Sequence, residues 1–121
     1  MRIISLLLLV LGLVVWGYAQ DNLYANARGL VDRIATDVRR ADRMNHDREK
    51  ERERYANAQR SLSNFDKELA RNKFDKDKLD SAIDDLKNVV ENNSLDPRDR
   101  DELTQDLRDL RALRQNRGAG W

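Results

Sequence analysis

Apolar positions in this chain fall into one dense run followed by a series of narrow stripes. The dense run covers Ile3 to Trp16. The stripes begin after it. Leu23, Ala27, Leu30, Ile34, Val38 and Ala41 step by 4, 3, 4, 4 and 3 residues. That is the spacing of one face of an α-helix, and it predicts a helix over about residues 22–44. Arg28, Asp32, Arg39 and Arg43 occupy its other side. Tyr55, Ala58, Leu62, Phe65 and Leu69 step by 3, 4, 3 and 4 and predict a second helical stretch.

Between these stretches lies a charged segment, residues 45–54. Two readings of it compete. Asn45 or Asp47 could cap a new helix after a tight turn. Alternatively one helix continues through, bent near residue 46. The heptad phase favours continuity, because Ala27, Ile34, Ala41, Arg48, Tyr55, Leu62 and Leu69 lie seven apart. Glu49 with Arg52, and Glu51 with Arg54, would support an exposed helix as i,i+3 pairs. The apolar seam is nevertheless interrupted at Arg48 and Glu51. Residues 20–71 are therefore read as one long amphipathic helix or coiled-coil arm, or as two helices with a charged middle.

Residues 72–117 read as an antiparallel helical hairpin. Asp75 suits an N-cap, with Phe74 placed to pack on Leu79 as a hydrophobic staple. Leu79, Ile83, Leu86 and Val90 form a third stripe. Asn92, Asn93, Ser94 and Leu95 read as a loop. Asp96 suits a second N-cap, with Pro97 at the first helical position, where its missing N–H is harmless. Leu103, Leu107, Leu110 and Leu113 form the last stripe. A connection this short forces neighbouring helices to run antiparallel. Gly118 and Gly120 mark residues 118–121 as a flexible tail. The fold class is all-α, a bundle of three to four helices. A weak likeness at an offset of 21 residues, Phe74-Asp75 with Leu95-Asp96, is explained by two helices with similar caps.

Composition changes the reading of the N-terminus. Arg2, an apolar run of 14 residues and small residues at Gly17 and Ala19 match a secretory signal peptide over residues 1–19, cleaved before Gln20. A bilayer span needs about 20 apolar residues, so cleavage is favoured over an anchor. The remainder carries 22 basic and 22 acidic side chains, since Arg2 is the one charge removed from 23 and 22. A balance of zero argues against nucleic acid, which selects a basic face. It argues equally against an electrostatic membrane binder, so no stable membrane insertion is expected once the signal is cleaved. There is no cysteine, so an exported chain of this kind lacks disulfide staples. Twenty large apolar residues follow residue 19, a modest core for its size. Self-association or a protein partner is the resulting expectation.

Candidate chemistry is sparse. His46 is the one histidine and has no companion ligands for zinc or copper. Asp75, Asp77 and Asp80 fail as a calcium loop, because residue 80 is not Gly and residue 86 is Leu. Asp96, Asp99, Asp101 and Glu102 fail likewise. Asp84 and Asp85 are adjacent on a helix and diverge. No serine or threonine has a histidine base within a plausible constellation. Asn92-Asn93-Ser94 is a glycosylation sequon, relevant only to a eukaryotic chain. Arg39-Arg40 reads as a solvated face. Leu103-Thr104 partly resembles the LTxxQ pattern of small periplasmic helical chaperones, but residue 107 is Leu where that pattern has Gln, so the family is not assigned.

No catalytic, cofactor-binding or metal-ligating residue is assigned, and no cofactor is implied. The expected function is that of an exported, non-enzymatic helical protein, periplasmic or secreted, working through protein–protein contact or self-association. Two alternatives are a periplasmic chaperone-like stress protein and a weak calcium- or metal-ion-binding module built on the Asp clusters at 75–85 and 96–106.

Overall fold

The computed structural model describes residues 24–44 and 48–118. Among them every regular element is helical: α1 (residues 24–44), α2 (Glu49–Ala70), α3 (Lys76–Asn92) and α4 (Pro97–Gly118). The expected signal peptide over 1–19 lies outside the described residues. So do Asn45, His46, Asp47 and residues 119–121.

The reading of residues 20–71 as one long helix is corrected. Arg48 has extended backbone (φ −123°, ψ 138°), and α2 starts after it. The Arg28 Nε in the first turns of α1 donates to Asp66 Oδ1 near the end of α2 at 3.0 Å, so the two helices lie antiparallel. The physical reason is burial. A straight helix from 24 to 70 would extend about 70 Å at 1.5 Å per residue and leave both apolar stripes in water. Reversal lets each stripe cover the other. The heptad phase that linked them ran through Arg48, whose side chain is exposed.

Polar contacts place the remaining helices. Arg54 of α2 reaches the carbonyl of Asn92 at the end of α3 (3.2 Å), and Ser61 bonds Asp85. Arg114 near the end of α4 pairs with Asp80 near the start of α3 at 2.9 Å. Arg33 and Arg40 of α1 pair with Asp109 and Glu102 of α4. Each helix therefore runs antiparallel to two neighbours, in the order α1, α2, α3, α4 and back to α1.

One apolar cluster lies between them and draws on all four. α1 contributes Ala27, Val31, Ile34, Val38 and Ala41. α2 contributes Tyr55, Ala58, Leu62, Phe65 and Leu69. α4 contributes Leu103, Leu107, Leu110 and Leu113. On α3 the buried line is Leu79, Ala82, Leu86 and Val89, one residue back from the expected Ile83 and Val90, which are half-buried. Two overlapping stripes run along that helix, and the inner one is centred on the smaller Ala82. Among the described residues Met44 is the large apolar side chain left at the surface, 70% exposed.

The turns follow from local chemistry. α2 ends in a Schellman reversal: Asn72 N–H donates to the Leu69 carbonyl and Lys73 N–H to that of Glu68, both at 2.9 Å. This needs a left-handed residue, and Asn72 supplies it at φ 60°. Phe74 follows and sets its edge against the Phe65 ring, centroids 5.6 Å apart. Asp75 then accepts from Lys78 N–H at 3.1 Å and caps α3. Asp96 repeats the device for α4, accepting from Asp99 N–H at 2.8 Å. These matching caps account for the weak internal likeness.

Candidate functional site

Charged side chains from two helices meet along the seam between α1 and α4. On α1 the contributors are Arg33, Asp37 and Arg40, one and two turns apart. Asp99, Glu102, Asp106 and Asp109 step by 3, 4 and 3 along α4. Arg33 donates to Asp109 at 2.6 Å and reaches Asp106 Oδ1 at 3.5 Å. Arg40 donates to Asp37 at 3.0 Å and to Glu102, and its Nε lies 4.0 Å from Asp99. Arg98 adds a 3.3 Å contact to Glu102. Arg33, Asp37, Arg40, Glu102, Asp106 and Asp109 line an open groove together with Gln105.

Asp106 differs from its neighbours because it is buried, at 2% exposure. It sits on the core line of α4, between Leu103 and Leu110. Burial pushes its carboxyl up to about 7, helped by the hydrogen bond and negative charge of Asp37 and by Asp109, with Arg33 opposing. As a carboxylate, Asp106 keeps Oδ2 buried with no donor. As a neutral acid it can donate to Asp37.

A second polar group closes the end of the molecule where α1 and α3 finish and α2 and α4 begin. Glu51 is 5% exposed there, although the sequence pattern places it as an interruption of the seam. Its carboxylate accepts the Ser94 N–H at 2.7 Å. Asn93, 3% exposed, donates from Nδ2 to the Glu51 carbonyl at 3.1 Å. α3 has no basic residue in its own last turn. Its terminal carbonyls are met by Arg54 from α2 and by Arg100 from α4, the latter at 2.7 Å to Val90 and 3.3 Å to Asn93. Two neighbours thus supply the positive charge that a helix C-terminus favours. Burial raises the pKa of the nearby Tyr55 hydroxyl, and the charges of Glu51, Asp42 and Asp99 raise it further.

The expected ion-binding clusters are dispersed by the fold. Asp75 and Asp96 cap helices, Asp80 pairs with Arg114, Asp85 bonds Ser61, and Asp77, Asp84 and Asp101 face solvent. Among the described residues no three His, Asp or Glu side chains converge to hold a metal ion. Asn92 is the last residue of α3 and is exposed, so the sequon begins on a helix rather than within a loop. Arg39 lies on the solvated face as expected. Arg40 does not, since it is half-buried in the α1–α4 seam.

Sequence reasoning missed Asp106, Asp99 and Glu51. A signal for them existed. Asp99, Leu103, Asp106, Leu110 and Leu113 step by 4, 3, 4 and 3, and Glu51 lies four before Tyr55. A carboxylate in register with an apolar stripe is buried when its helix packs. Among the described residues no helix is long and apolar enough to cross a membrane. Comparison of the chain with protein-family patterns, with curated proteins and with solved structures finds no match.

Proposed function

We propose that this protein is exported, is not an enzyme, and acts by contact with another protein outside the cytoplasm, in the periplasm or in the medium. The working unit is a small antiparallel bundle of the four helices. The α1–α4 seam is the observation that carries the reading. Catalytic groups converge on a space that a substrate can enter. Here the arginines and carboxylates are paired with each other in an open groove, which suits recognition of a partner's own charged side chains.

The packing supports a polar docking surface. A modest core suggests spare apolar stripes and hence self-association. The stripes of α1 to α4 instead face one another. A partner therefore meets a polar surface, and its binding should be sensitive to salt. Export rests on residues 1–19.

The test begins with protein recovered after export from a native host. Its N-terminus should read Gln20. Cross-linking in the native envelope or medium should then trap one defined complex. Arg33→Glu should weaken that complex severalfold while leaving the helical circular dichroism in place. Intact Met1 on protein kept in the cytoplasm would overturn export. A processed protein that forms no saturable complex at low salt would overturn the contact reading.

A further inference from the structure

We propose that the α1–α4 seam is a proton-operated latch: neutral Asp106 holds α1 on α4, and its ionisation loosens α1 and uncovers the apolar face of α4. The use of that uncovered face by a partner rests on the function proposed above. The latch itself does not.

Two observations support it. First, Asp106 is buried at a helix–helix contact, where a second carboxyl group, Asp37, faces it. Without a proton between them the two repel, and Asp106 Oδ2 is left buried with no donor. Second, the two arginines of α1 are shared among five carboxyl groups: Arg33 between Asp109 at 2.6 Å and Asp106 at 3.5 Å, and Arg40 among Asp37, Glu102 and Asp99. From α4 itself, Glu102 and Asp109 add negative charge. The pairings place Ala58 and Leu62 of α2 and Ala82 and Leu86 of α3 at the same level, all apolar, while Asp85 of α3 is bonded to Ser61.

The proton stabilises the closed form. A carboxyl whose pKa is raised in the closed state binds more protons there than in the open one. Closure is therefore strongest at low pH and weakens as pH rises toward and through the raised value of about 7. Between pH 6 and pH 8 this linkage makes opening of α1 about tenfold more frequent.

Amide hydrogen exchange of the full exported protein at pH 6 and pH 8 tests the latch. Asp106→Asn serves as reference at each pH, since Asn cannot ionise. The expected result is that the exchange of α1 amides, relative to that reference, rises about tenfold from pH 6 to pH 8, with smaller changes in α2 and α3. Asp37→Asn, which gives ionised Asp106 a donor, should remove most of that rise. It also keeps the test decisive if Asp106→Asn does not fold. Equal pH dependence of α1 exchange in the wild type and in every variant that folds would overturn the latch. No partner enters this measurement, so its failure is distinct from failure of the contact reading.

Discussion

Glu51 offers the sharpest test of how the helices are locked together. Its carboxylate is buried and accepts the Ser94 N–H at 2.7 Å, across 43 residues of sequence. Replacement by alanine removes the acceptor and leaves a part-buried backbone N–H unmet. Hydrogen bonds to charged groups are worth about 1.5–3 kcal/mol, so Glu51→Ala should cost about 2–3 kcal/mol. Glutamine keeps a carbonyl acceptor but loses the charge, and charge assistance roughly doubles such a bond. Glu51→Gln should therefore cost about 1 kcal/mol. Glu49→Gln is the control, because Glu49 is exposed in the same first turn and reports only the helix dipole, about 0.3–1 kcal/mol. Urea unfolding followed by far-ultraviolet circular dichroism gives each value. If Glu51→Ala falls within about 0.5 kcal/mol of Glu49→Gln, the assignment of Glu51 as the lock is wrong.

Four further outcomes follow from other positions. Gly29 sits on the exposed side of α1, and a methyl group added there would meet open space, so Gly29→Ala should stabilise by about 0.5–1 kcal/mol in the same urea assay. Asn72→Ala should destabilise by about 1 kcal/mol, and Asn72→Gly should be neutral or better, because the φ of 60° favours glycine. Leu86→Ala, at a fully buried position on α3, should cost about 2–5 kcal/mol and broaden or lower the thermal transition. The raised Asp106 carboxyl predicts a pH effect of definite sign: relative to Asp106→Asn, wild-type stability should be highest below about pH 4 and fall by up to about 4 kcal/mol as pH rises through 7.

Much of the fold was legible from spacing alone. The stripes of α2 and α4 are buried at the positions their 3- and 4-residue steps indicate, on α1 Val31 takes the buried place expected of Leu30, which is half-buried, and both Asp N-caps and Pro97 act as their local chemistry requires. Two things were not legible, for different reasons. The break at Arg48 was hidden because the heptad register happens to stay in phase across it. Phase is a local property, whereas the choice between a long helix and a reversal depends on whether α1 has another surface to cover. The charged seam was hidden because charged residues were assigned outward. Asp99, Asp106 and Glu51 are in register with leucines and a tyrosine, and packing carries them inward, where arginines and backbone N–H groups from other helices meet them. Those partners lie 43 to 73 residues away in sequence, beyond the reach of any local pattern.

The fold depends above all on the four apolar stripes satisfying one another within a single chain. Urea unfolding of the exported protein at two concentrations a hundredfold apart (roughly 1 and 100 μM, within the range where association shifts stability by mass action), with sedimentation at both, measures this directly. The expected result is a monomer and one cooperative transition with the same midpoint at both concentrations. A midpoint that rises with concentration, or a helical signal seen only in an oligomer, would contradict a self-sufficient bundle.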